Sequence, residues 1–254
     1  MQGRHDEALP LLRQVEQRRR ETLGERHVLT LKAAHDLAVL LRHRGELDAA
    51  MALLEPTLTA RREVLGAAHP ETLMTANETA TVLQGLKRHD EAEALFREVL
   101  EQRLRTLGEG HHFTRNSMSN LGLLYTVQGK VDQAAPLYER ALALEVAQVG
   151  ENHPDTISLI HNIAGLYRKQ GRFDDALAQH ERAIRAAEAS PDLGADAWQT
   201  ALFRVGRAKT LHVSGRNEEA DAEMTHGIAI LERVLGPEHP RSVQAREMRQ
   251  AMRE

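Results

Sequence analysis

GENHPDT, residues 150–156, has close counterparts along the whole chain: GERHVLT from Gly24, GAAHPET from Gly66, GEGHHFT from Gly108 and GPEHPRS from Gly236. The glycines at 24, 66, 108 and 150 stand 42 residues apart without a slip. A catalytic motif normally occurs once, so a motif that returns on a fixed period marks the joints of a repeat. A second marker runs between these loops: GRHDEA from Gly3, GELDAA from Gly45, KRHDEA from Lys87, GKVDQA from Gly129, GRFDDA from Gly171 and GRNEEA from Gly215. It also steps by 42, except for a last step of 44, and is offset from the first series by 21 residues. Each unit therefore reads as helix, turn, helix, turn.

The predicted first helices cover roughly 29–44, 71–86, 113–128, 155–170 and 196–214, and the second helices roughly 46–64, 88–106, 130–148, 172–189 and 216–234. Gly45, Gly129, Gly171 and Gly215 suit the left-handed position that ends a helix. Asp48, Asp90, Asp132 and Asp174 fall in the next first turn, where negative charge is favoured. Pro70, Pro154 and Pro240 fit the first position of a helix. Thr30, Thr72, Thr114, Thr156, Thr200 and Ser242 share one position and are expected to bond unpaired amides there.

A small residue recurs on the second helices at Ala8, Ala50, Ala92, Ala134, Ala176 and Ala220, with a larger one four residues on at Leu12, Leu54, Phe96, Tyr138, His180 and Met224. The first helices carry Ala38, Ala80, Gly122, Ala164 and Ala208, with Leu41, Leu83, Tyr125, Tyr167 and Leu211 three positions later. Spacings of three and four keep both residues on one helix face. A small residue facing a bulky one is the geometry of stacked hairpins.

Residues 120–142, NLGLLYTVQGKVDQAAPLYERAL, and 162–184, NIAGLYRKQGRFDDALAQHERAI, carry this pattern most fully. They resemble the tetratricopeptide repeat. With a period of 42 and LG-x-x-HP-x-T loops, they are most similar to the long repeats of kinesin light chains and their bacterial relatives. The resemblance covers essentially the whole chain. It implies an all-α fold, a right-handed α-solenoid of stacked antiparallel hairpins with about twelve helices, and a peptide-binding scaffold without chemistry of its own.

One continuous array over 1–254 is expected: a half repeat at 1–23, full repeats at 24–65, 66–107, 108–149, 150–193 and 194–235, and a polar capping helix at 236–254. The chain begins in mid-repeat, and Leu9, Leu12 and Val15 of the opening helix would face a missing neighbour, so a natural N-terminal extension is expected. SPDLGADAWQT, residues 190–200, is two residues longer than its counterparts and puts Trp198, the only tryptophan, where proline would stand. That indole is either packed in a divergent turn or offered to a partner.

Composition narrows the function classes. Net charge is −4, so no global field draws nucleic acid. Cysteine is absent, which removes disulfides, thiol catalysis and most structural zinc sites and fits a reducing compartment. No apolar run approaches the ~20 residues of a membrane span, nor does the N-terminus carry an apolar signal core. A cytoplasmic protein with no membrane partner is expected. The loop histidines His27, His69, His111, His153 and His239 repeat at about a helix spacing of ~8–10 Å, too far apart to ligate one metal ion at ~2.0–2.1 Å. Structural roles at helix starts are expected of them, with His111, His112 and Glu109 the nearest approach to a local cluster. No nucleophile elbow, phosphate loop, H-E-x-x-H or G-x-G-x-x-G occurs, so no catalytic residue, metal or cofactor is assigned. Arginine runs such as Arg18-Arg19-Arg20 and Arg61-Arg62 end second helices, where cations suit the dipole.

What remains is surface. In the family it resembles, the concave groove is lined by side chains three and two positions before the small residue of each first helix, one after it, and a turn beyond. Carried over, this gives His35, Asp36, Val39 and Arg42; Asn77, Glu78, Thr81 and Gln84; Ser119, Asn120, Leu123 and Thr126; His161, Asn162, Gly165 and Arg168; Val205, Gly206, Lys209 and His212. Asn120 and Asn162 match the family's groove asparagines, which bond a peptide backbone or, alternatively, one another across helices. Asp36, Glu78 and Gly206 depart from that pattern. With Lys32, Lys169 and Arg204 beside it, the mapped groove holds six cations (Lys32, Arg42, Arg168, Lys169, Arg204, Lys209) against two acids. An extended, acidic peptide is the expected partner. The alternative is a self-assembly or sensor module of a larger signalling protein, linked to a kinase or NTPase and associating through the ends of the array.

Overall fold

The computed structural model describes residues 2–253, with side chains from Ala8 onward. Twelve helices are described: α1 (Gln2–Leu23), α2 (Val28–His43), α3 (Leu47–Leu65), α4 (Pro70–Gly85), α5 (His89–Leu107), α6 (His112–Gln128), α7 (Val131–Val149), α8 (Pro154–Lys169), α9 (Phe173–Ala189), α10 (Trp198–Val213), α11 (Asn217–Leu235) and α12 (Pro240–Ala251). The fold is all-α, and no strand occurs among the described residues. Contacts gather the chain into two compact units, Met1–Leu124 and Tyr125–Glu254.

In the first unit α2 pairs with α3 and α4 with α5, α3 packs on α4, and α2 lies beside α4. In the second, α8 pairs with α9 and α10 with α11, α9 packs on α10, α8 lies beside α10, and α12 closes on α11. The small residues sit where helices cross: Ala38, Ala80, Ala164 and Ala208 on first helices and Ala50, Ala92, Ala134, Ala176 and Ala220 on second helices have no accessible surface. Their bulky companions Leu54, Phe96, Tyr138, His180 and Met224 are equally buried.

Between helices of a pair the backbone turns through the left-handed region at Gly45, Gly129, Gly171 and Gly215. Lys87 holds the same turn at φ 62° without being glycine. The longer loops are capped by their histidines. Nδ1 of His27, His69, His111, His153 and His239 accepts the amide two residues ahead at 3.2–3.3 Å. The conserved-register threonines do something else than expected. Four of the six hydroxyls donate to carbonyls, Thr156 to Gly150 O and Thr200 to Gly194 O at 2.8 Å, Thr72 to Arg61 O at 3.3 Å and Thr114 to Arg103 O at 3.5 Å, while those of Thr30 and Ser242 are buried without a partner. Imidazole satisfies the amides, and the hydroxyl ties its helix back to the preceding loop at Thr156 and Thr200 or to the preceding helix at Thr72 and Thr114. Before α10 this device is missing: Ala197 stands at the cap and supplies no side-chain acceptor. Trp198 instead packs on the α10–α11–α12 core, with the Arg241 guanidinium 3.9 Å from its ring centre.

The arginines at the ends of second helices are not alike. Arg61 and Arg103 are buried, and each reaches across its loop to the next helix. Arg61 Nη1 donates to Glu71 O and Thr75 Oγ1, both at 2.7 Å. Arg103 Nη1 donates to Phe113 O at 3.0 Å and Ser117 Oγ at 2.7 Å. Arg19 makes the same bond to Leu29 O at 2.9 Å. A guanidinium thus links α1, α3 and α5 to the first turn of the helix that follows each, rather than serving only the helix dipole.

Removing a brace strands buried acceptors and leaves a void, whereas the adjacent Arg62 only pairs with Glu98 at a half-exposed site. Arg61→Ala is expected to cost about 3 kcal/mol, and Arg62→Ala less than about 1 kcal/mol, measured as shifts of the urea midpoint. Supplying the missing acceptor with Ala197→Asp is expected to add about 1 kcal/mol in the same assay.

Candidate functional site

The face expected to bind lies on the first helices, and the two units treat its charges differently. In unit one the cations are already neutralised. Lys32 pairs with Asp36 at 3.2 Å, and Arg42 binds Glu78 of the neighbouring first helix. His35 is buried, with Nδ1 3.4 Å from Thr75 Oγ1, so it belongs to the contact between α2 and α4 rather than to open surface. Burial, then the nearby Arg61, hold its pKa below the ordinary value. Asn120 Nδ2 donates to Asn77 Oδ1 and to Asn116 Oδ1, each at 3.1 Å. Asn120 is therefore engaged across helices with Asn77. Thr81 donates to Asn77 O at 2.9 Å, Ser119 is half-buried, and Leu123 is exposed.

An open cleft also lies among α1, α2 and α3, lined by Glu16, Arg20, Arg26, Pro56 and Glu63. Its charges cancel locally through Arg20–Glu16 at 2.5 Å and Arg26–Glu63 at 2.9 Å.

In unit two the balance is reversed. Arg168, Lys169 and Lys209 form no ion pair among the described residues. Burial lowers the pKa of Arg168 and of Lys209, and Arg168 lowers that of Lys209 further. Arg204 differs, being held by Glu188 at 2.6 Å and Glu223 at 3.2 Å. His212 Nδ1 sits 3.0 Å from Asn217 Oδ1, and Asn162 is half-buried.

Beneath these cations two imidazoles meet at a tilt between helices. The rings of His161 and His180 have centres 5.1 Å apart, and Phe203 lies 5.0 Å from His161. His180 Nε2 meets Thr210 Oγ1 at 3.2 Å, while Nδ1 of both histidines lacks a hydrogen-bond partner. The departure at Gly206 has its cause here: a Cβ there would stand 2.4 Å from His161 Cε1 and 2.8 Å from His180 Cε1. An asparagine cannot coexist with that pair.

Among the described residues no group of three or more His, Asp or Glu is placed to hold a metal ion, and no helix is long and apolar enough to cross a membrane. The arginine braces and the buried imidazole pair were not singled out from sequence. The braces could have been: Arg19, Arg61 and Arg103 keep the 42-residue step. The imidazole pair could not, because only contact between hairpins joins His161, His180 and Gly206.

Comparison with known proteins places this geometry. Tetratricopeptide repeat models match residues 1–63, 33–105, 71–144 and 116–189, and a further one matches 207–241. No curated protein sequence matches. Solved structures of similar fold include BtubC (BKLC) from P. vanneervenii, 18% identical, covering 91% of this chain and 92% of that one with a TM-score of 0.69. The nearly identical TPR-like repeats of a Podosopora anserina protein of kinesin light chain type are 24% identical, covering 80% and 95% at a TM-score of 0.61. Bacillus thuringiensis PlcR in complex with the peptide PapR7 and DNA is 14% identical, covering 87% and 73% at 0.64.

Burial and the neighbouring cations Lys209 and Arg168 push the His161 pKa down from 6.5 to about 4, and burial with His161, Arg168 and Arg207 pushes His180 to about 2. An unfolded histidine takes its proton near 6.5, so below that the unfolded chain binds more protons than the folded one. Stability is then present in full above that value and lost as pH falls. His180→Met, copying Met224 of the next hairpin, is expected to flatten the decline between pH 6.5 and 4 by up to about 1.4 kcal/mol per pH unit, followed by urea midpoints across that range.

Proposed function

The chain belongs to the tetratricopeptide repeat family, and from that premise we propose that it is a non-catalytic interaction scaffold whose first helices receive an extended, acidic segment of a partner protein. The observation that carries this reading is the set of unneutralised cations on unit two, Arg168, Lys169 and Lys209, in a chain whose net charge is −4. Cations that keep no acidic partner of their own are free to meet those of another chain. Partial burial of Arg168 and Lys209 strengthens any such pairing, because a half-desolvated charge is screened less by solvent and salt.

The other sequence-derived positions take supporting parts. In unit one Lys32, Asp36, Arg42, Asn77, Thr81, Ser119, Asn120 and Leu123 form a polar surface with one exposed leucine, its charges paired, suited to orienting a segment more than to holding it by charge. In unit two Asn162 and His212 flank the cations, and His161 supports them from beneath. His35, being buried, supports the surface from behind. A chain of the same fold, PlcR, is known in complex with a peptide, which agrees with a peptide segment as the partner. Nothing in this reading requires a cofactor.

The test is equilibrium binding, by fluorescence anisotropy, of a short fluorescein-labelled glutamate-rich peptide and its glutamine counterpart. The glutamate peptide is expected to bind, more weakly as salt rises, and the glutamine peptide to bind at least about tenfold less well. Arg168→Glu together with Lys169→Glu is expected to abolish binding while leaving the helical circular dichroism intact. Equal affinity for the two peptides, or unchanged affinity in the double variant, contradicts the reading.

A further inference from the structure

Two uncompensated cations of unit two, Arg168 and Lys209, lie by register beside a helix position that carries no side chain, Gly165. Lys209 follows the small residue Ala208 of α10 by one position, and Gly165 follows Ala164 of α8 in the same way. The two helices lie side by side, so equal register sets Lys209 next to the bare backbone of Gly165. In unit one the same register is filled by Val39 and Thr81. Arg168 stands one helical turn beyond Gly165 on the same face, and His161 one turn before it.

The glycines on these two helices are not equivalent. Gly206 is covered, since His161 and His180 lie against its Cα. Gly165 is open: a Cβ placed there meets no atom within 4 Å, and its backbone is ordinary helix. Arg168 and Lys209 both act electrostatically on His161, and Arg168 acts on Lys209. The three side chains therefore share one neighbourhood around the opening. It holds two like charges, partly desolvated, with no acid to offset them, while the imidazole Nδ1 is turned to Gly206. Such an arrangement costs stability while it is empty and is relieved by an anion.

We propose that this notch seats one carboxylate of the bound segment, with Gly165 as its floor and Arg168 and Lys209 as its two charge partners. The inference rests on the groove reading above and narrows it to a single subsite. A guanidinium grips a carboxylate through two parallel hydrogen bonds, and an ammonium alongside supplies further donors from the second helix. The missing side chain at residue 165 lets the carboxylate descend between them; a larger residue would hold it out in solvent, where the same charges are worth little.

The same glutamate-rich peptide tests this with two variants of opposite design. Gly165→Leu fills the notch without touching a charge. Because leucine is the better helix former and the space is open, its thermal midpoint is expected to equal or exceed that of the parent. Its affinity for the glutamate peptide is expected to fall at least about tenfold. Lys209→Gln keeps the shape, removes one charge, and is expected to lose a similar factor. Should either variant hold the peptide as the parent does, while Arg168→Glu with Lys169→Glu still abolishes binding, the notch is refuted and the wider groove survives. Should the parent itself fail to prefer the glutamate peptide over the glutamine one, both fall together.

Discussion

A helix hairpin of this length cannot bury its apolar stripe within itself; it must lay that stripe on a neighbour, and how closely the neighbour approaches depends on one residue per helix. That residue is alanine at Ala38, Ala80, Ala164 and Ala208, and again at Ala50, Ala92, Ala134, Ala176 and Ala220. With no side chain beyond Cβ, the backbones come within packing distance, and the space left is taken by Leu54, Phe96, Tyr138, His180 or Met224. Enlarging any of those alanines would push whole helices apart rather than displace one side chain. The histidine caps and guanidinium braces serve the same constraint where they occur, because they fix where a first helix starts relative to the helix before it.

That constraint explains what could be read from sequence. Glycine, proline and acidic residues at fixed steps located the helices to within a few residues, because those residue types act through local backbone geometry. The error at α10 follows from the extended loop before Trp198, where a helix start at 196 was expected and 198 is found. Side-chain partners were less legible. Thr156 and Thr200 were expected to serve amides, yet the imidazole two residues ahead of each first-turn amide does so in most loops, leaving the hydroxyl for a carbonyl. Position alone cannot say which of two polar groups reaches a given donor.

The candidate site shows the same division. Register placed residues such as Arg42, Asn120 and Lys209 on the first helices, but charge counting could not distinguish a cation that is already paired from one that is not. Arg42 meets Glu78 and Lys32 meets Asp36, while Arg168 and Lys209 have no such companion. Six basic residues thus resolve into two groups of different physical character. Paired charges orient and solvate a surface; unpaired, partly desolvated ones carry binding energy that only a partner can release. The substitution of glycine for asparagine at 206 belongs with this, since it admits the imidazole pair on which the cationic surface rests.

The most direct measurement of that account is a backbone amide NMR titration of the chain with a glutamate-rich peptide. If the open cationic surface of unit two is the working part, the amide signals of Gly165, Arg168, Gly206 and Lys209 move together and saturate on one binding curve. Signals that move instead on the outward faces of α9 and α11, with α8 and α10 unchanged, would contradict it.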